Sequence, residues 1–169
     1  MRIEDFTNMN IKITWTLLLI CFSSNRLLRN SEYEQSFISA DEVIDYVAGL
    51  LDNTESDDIV SLAILKSSEH EDIIKVLKKL SKSEDADYDF EFRKFRALYI
   101  YNNLPSESDD FMHGILKISE MWDKFGFPED SPNIYFEFKD YSQENYNKLL
   151  EIHNLWLKSE FEFIRKESK

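Results

Sequence analysis

The chain has 169 residues and a mass of 20.2 kDa, with 33 acidic side chains against 20 basic ones, a net charge of −13 and a pI near 4.6. Aromatic residues at 14% supply a core and exclude disorder for the bulk of the chain, and the lone Cys21 excludes a disulfide scaffold. The negative charge disfavours broad nucleic-acid binding, because phosphate is repelled.

The first element is the apolar run Ile13–Phe22, ITWTLLLICF. It is far short of the roughly 20 apolar residues that span a bilayer. Arg2 and Lys12 ahead of it are matched by Glu4 and Asp5, so a signal peptide's positive start is missing, and no small-residue cleavage site follows. The run is expected to be a buried helix from Trp15 to about Asn25, capped by Thr14, in a cytoplasmic protein with no membrane partner. Ser39 and Glu42 then have capping-box spacing ahead of the stripe Val43/Ile44, Val47 and Leu50/Leu51. Ser56 is placed to cap a short helix through Ile59, Leu62, Ala63 and Leu65. Ser68 with Glu71 repeats the box before Ile73/Ile74, Leu77 and Leu80.

Tyr88, Phe90 and Phe92 alternate with acids as a strand would, but Phe92, Phe95 and Leu98/Tyr99 continue at helical spacing, so length favours a helix. Asp109–Phe125 sets Phe111, Ile115, Ile118, Trp122 and Phe125 on one face, with Gly126 as a left-handed cap and Pro128 preventing continuation. Ser131–Lys139 is the one stretch with strand character, allowing a small strand pair near 134–138. A last helix from about Gln143 to Phe163 turns Tyr146, Leu149/Leu150, His153, Trp156/Leu157 and Phe161 inward. The expectation is an all-α, single-domain bundle of about seven helices over residues 1–169, with loose ends at 1–10 and 166–169.

No catalytic motif appears. His70, His113 and His153 form neither Glu-x-x-His nor His-Glu-x-x-His, and adjacent residues in Glu69-His70-Glu71-Asp72 point around a helix instead of converging. Asp110-x-x-His113 reads as a surface pair, and His153 as a core histidine. Burial keeps Cys21 unreactive, and glycines at 49, 114 and 126 cannot build a phosphate loop. The chain is therefore expected to hold no metal or cofactor and to have no catalytic residue.

The charge is uneven. Nine acids and no base lie between Arg29 and Lys66, and five more (Glu84, Asp85, Asp87, Asp89 and Glu91) lie between Lys82 and Arg93. The longer stretch spreads over two helices and reads as a solvated face. The shorter block sits beside Tyr88, Phe90 and Phe92. Charge next to aromatics gives steering and an anchor, so Glu84, Asp85, Asp87, Tyr88, Asp89 and Glu91, with the loop acids Glu107, Asp109 and Asp110, form the candidate partner-binding set.

Four segments carry a resemblance: Ile11–Leu18, Ser39–Val47, Phe92–Tyr101 and Ile118–Asp130, the last ending in a Phe-Gly-Phe-Pro turn. In this order the chain resembles a family of small acidic, all-helical bacterial proteins of unknown function, similar to immunity proteins found beside polymorphic toxins. The resemblance implies a non-enzymatic protein whose partner is a basic toxin domain. A carboxylate-based, metal-dependent hydrolase and a regulatory adaptor are the alternatives from other classes.

Overall fold

The computed structural model describes residues 2–23, 37–106, 110–132 and 141–167. Of these, 73% are helical, and among the described residues there is no strand. The strand-like stretch at 134–138 lies outside them. The α-helices are α1 (Ile3–Asn8), α2 (Trp15–Ser23), α3 (Ala40–Ala48), α4 (Asp57–Ala63), α5 (His70–Ser83), α6 (Tyr88–Asn103), α7 (Phe111–Asp123) and α8 (Gln143–Glu167), with a 3-10 turn at Leu51–Asn53. The eighth helix is α1. Instead of a loose start, the Arg2 N–H donates to the Asp5 carboxylate at 2.7 Å and Phe6 is buried, so a local cap and one apolar anchor suffice.

Chain contacts group the molecule into two compact units, and α6 passes from one to the other at Phe95/Arg96. In the first unit α2 packs most extensively on α5. Helix α2 is apolar around nearly its whole circumference, and Leu17, Leu18, Ile20, Cys21 and Phe22 are all buried. It meets the inner face of α5, Ile73, Ile74, Leu77 and Leu80. Each such side chain contributes about 1.5–3 kcal/mol by leaving water. No helix among the described residues is long and apolar enough to cross a membrane.

A buried helix start must find acceptors for its free amides. Thr14 Oγ1 accepts from the Leu17 N–H at 3.0 Å, as its position predicts. The Trp15 and Thr16 N–H groups donate to the two oxygens of Glu84, at 3.0 and 2.5 Å, from the far end of α5. Thr16 and Ser81 hydroxyls add a bond of 2.7 Å between the same helices. Helix α3 carries the full Ser39–Glu42 capping box. Two other caps differ from expectation. Ser56 precedes α4 without a side-chain bond, and α5 begins at His70 with Glu69, not Ser68, at the cap position. The Glu69 carboxylate is turned back to the Lys66 N–H at 2.6 Å, which closes the preceding turn.

The second unit is built on α7 and α8. Gly114 has no side chain because Tyr146 occupies the space: a Cβ there would lie 2.5 Å from the tyrosine ring. The Tyr146 hydroxyl donates to the Ser106 carbonyl at 2.7 Å. Beyond α7 the chain reverses through Gly126 at φ 71° and Phe127 at φ 49°, and the Phe127 N–H returns to the Trp122 carbonyl. Gly126 thus adopts the left-handed conformation its sequence context predicts.

Trp122 and His153 are both fully buried and bonded, indole Nε1 to imidazole Nε2, at 2.8 Å. An indole N–H can only donate, so His153 Nε2 must carry a lone pair. Its Nδ1–H then donates to the Leu149 carbonyl at 2.7 Å. This fixes a neutral tautomer, and burial holds the His153 pKa down to about 4 from an ordinary 6.5. Between these values the unfolded chain binds a proton that the folded chain excludes, so this group makes stability fall as pH falls from about 6.5 toward 4. The loss approaches about 3 kcal/mol. Denaturant titrations from pH 7 to 4 should show wild type losing about that much more than His153→Gln, whose amide oxygen can still accept from Trp122.

Candidate functional site

The acids between α5 and α6 were the sequence's candidate surface, and the fold divides them. Glu84 is half-buried and spent on the α2 amides. Asp87 caps α6: its carboxylate accepts from the Phe90 N–H at 2.9 Å and its carbonyl from the Glu91 N–H. Glu91, one turn into α6, is 3% exposed and faces inward. Its Oε1 lies 2.8 Å from Lys94 Nζ, three residues on and equally enclosed. The ammonium also reaches the Lys12 carbonyl at 3.4 Å and lies 4.7 Å over the Phe90 ring. Glu91 Oε2 has no hydrogen-bond partner among the described residues.

What remains on the surface of this turn is Asp85, Asp87, Tyr88 and Asp89, all exposed. The Tyr88 ring is 48% exposed and stacks on Phe92 at 6.3 Å. Partial burial, and then the charge of Asp89, push its hydroxyl pKa up, so it stays a neutral donor. The turn is held on both sides, by the Glu84 bonds before it and the Glu91–Lys94 pair after it. Asp110 belongs to the second unit, where it is exposed and caps α7 by accepting from the His113 N–H at 3.0 Å. Glu107 and Asp109 lie outside the described residues.

The longer acidic stretch divides in the same way. Glu42 closes the α3 capping box, and Asp58 pairs with Lys79 at 2.7 Å. Asp41, Asp45, Asp52, Glu55 and Asp57 are exposed, and none has an ion pair among the described residues. Beside them α4 exposes Val60 and its C-cap residue Ile64, at 44% and 76%. Sequence reading assigned the inward face of α4 through Ile59 and Leu62 but passed over its outer one. The signal was available in Asp57-x-x-Val60-Ser61-x-x-Ile64, a second set at helical spacing.

Among the described residues no three His, Cys, Asp or Glu side chains are grouped to hold a metal ion. Cys21 is fully buried, and burial first, then the charge of Glu91, drive its thiol pKa well above the ordinary value. His153 is committed to Trp122 and Leu149. The arrangement can present charge and apolar surface on a frame whose buried Glu91–Lys94 and Trp122–His153 pairs are each engaged internally.

Glu91 distinguishes a structural acid from an interface acid. Removing one partner of a buried pair strands the other charge, which costs about 3–5 kcal/mol. Glu91→Ala should lower unfolding free energy by that amount, whereas Asp89→Ala, two residues earlier, should stay within about 0.5 kcal/mol of wild type. Equal stability of the two variants in urea would contradict the assignment.

Comparison with known proteins gives no match among curated proteins or among solved structures. A family model does match, over residues 3–161, nearly the whole chain and including the turn and α4. The chain therefore belongs to the family described as an uncharacterized protein conserved in bacteria (DUF2247).

Proposed function

We propose that the protein is a non-enzymatic binding protein of the immunity or antitoxin kind, acting in the cytoplasm to neutralise a cognate bacterial toxin through its acidic surface. The observation that carries this reading is the turn before α6. It offers Asp85, Asp87 and Asp89 around an exposed Tyr88, on backbone anchored by a helix cap on one side and a buried ion pair on the other. Preorganised contact groups lose little entropy on binding. A net charge of −13 complements a basic partner, and steering of this kind raises association rates by roughly 10–1,000-fold. The resemblance of four sequence segments to immunity proteins points the same way.

The test is co-expression in a bacterial host with the toxin-like C-terminal domain encoded beside the gene. Wild type should restore growth and bind the domain directly. Asp85→Lys/Asp89→Lys, which spares the capping Asp87, should slow association at least tenfold at low salt and flatten its salt dependence, with melting unchanged. Unrelieved toxicity would contradict the function, and unchanged association kinetics at low and high salt would remove this turn from the interface.

A further inference from the structure

The outer face of α4 is unlike the rest of the acidic surface. Asp57, Val60 and Ile64 follow one another at three- and four-residue spacing, so they share a face. Ile64 has the highest exposure, 76%, of the large apolar side chains left exposed among the described residues. The 3-10 turn packed on α4 adds Leu51, 37% exposed, and Asp52 next to it. Glu55 lies between the two elements. Asp52, Glu55 and Asp57 are exposed and have no ion pair among the described residues, and from 37 to 69 the sole base is Lys66. The neighbouring Asp58, which Lys79 neutralises, shows that a base is available to α4 on its other side.

An exposed apolar cluster with a rim of one sign has the make-up of an interface centre and its edge. Water is the poorest neighbour for Val60 and Ile64, and unpaired acids around them select against acidic and for basic surfaces. We infer that this face is a docking surface for a basic protein surface bearing an apolar patch: Val60 and Ile64 are the anchor, and Asp52, Glu55 and Asp57 the charged rim. The inference deepens the proposed function, on which it rests for the identity of the partner. It moves the centre of binding from the α5–α6 turn, where three of the acids are tied into the fold, to the outer face of α4, where Asp52, Glu55 and Asp57 have no ion pair among the described residues and Val60 and Ile64 are exposed.

Two measurements separate this inference from the reading beneath it. In the first, a synthetic amphipathic helical peptide of lysine and leucine is titrated into the full chain and followed by methyl NMR. The Leu51, Val60 and Ile64 methyls should shift first and furthest. Val60→Ser/Ile64→Ser should weaken binding at least tenfold without changing the salt slope, while Asp52→Asn/Glu55→Gln/Asp57→Asn should flatten that slope. Shifts centred on 85–89, or binding by the serine variant within twofold of wild type, would overturn the surface. In the second, both proteins are challenged with the toxin-like domain encoded beside the gene. Protection by wild type but not by Val60→Ser/Ile64→Ser supports surface and function together. Equal protection by both overturns the surface and leaves the function standing. No protection by wild type, or no such domain beside the gene, contradicts the function, and the peptide shifts then decide the surface alone.

Discussion

Helix α2 has to be enclosed on nearly every side, and much of the first unit follows from that requirement. Its side chains offer water almost nothing, so α5 must lie along it. Once α2 is covered, the amides of its first turn lose their solvent, and an unsatisfied buried donor costs about 1–3 kcal/mol. The helix has no acid of its own in that turn. Glu84 supplies one from the end of α5, so the residue that satisfies α2 also joins the two helices that bury each other. A carboxylate at a helix start meets the positive end of the dipole as well.

The same logic sorts the acids of a strongly negative chain into two populations. Glu42, Glu84, Asp87 and Asp110 hold helix starts, Asp58 meets Lys79, and Glu91 is enclosed with Lys94. These acids perform local work that any stable fold requires. Asp41 and Asp45 on α3, Asp52 and Glu55 ahead of α4, Asp57 on it, and Asp85 and Asp89 on the turn before α6 are instead exposed and make no ion pair among the described residues. Charge repulsion among uncommitted acids works against the folded state, so their accumulation beside exposed apolar groups calls for a use. A cationic partner answers both the charge and the apolar surface.

Much of the fold was legible in the sequence because helices advertise themselves locally. The Ser39–Glu42 box, Thr14 before α2, Gly126 after α7 and the inward faces of α7 and α8 are all set by residues within one or two turns of each other. Glu84 was not legible as a cap, because its partners lie 68 and 69 residues away. Glu91 was read as surface because acids seldom enter a core, although Lys94 at three-residue spacing was the available sign of a buried pair. Helix α1 was missed because six residues with one buried phenylalanine give too little periodicity. For the site, sequence reading found the exposed turn at 85–89 but counted its tied acids along with its free ones. It also treated the α4 stretch as solvated because exposure of Val60 and Ile64 depends on what α4 packs against.

The claim that an acid distant in sequence completes the buried start of α2 is open to direct test by native-state amide hydrogen exchange. First-turn helix amides ordinarily exchange quickly, because they have no intrahelical acceptor. The Trp15 and Thr16 amides should be protected to nearly the level of the Leu77 amide in α5. Glu84→Ala should reduce that protection by tenfold or more while Leu77 keeps most of its own. Trp15 and Thr16 amides that exchange as freely as a frayed end, in wild type and variant alike, would contradict that claim.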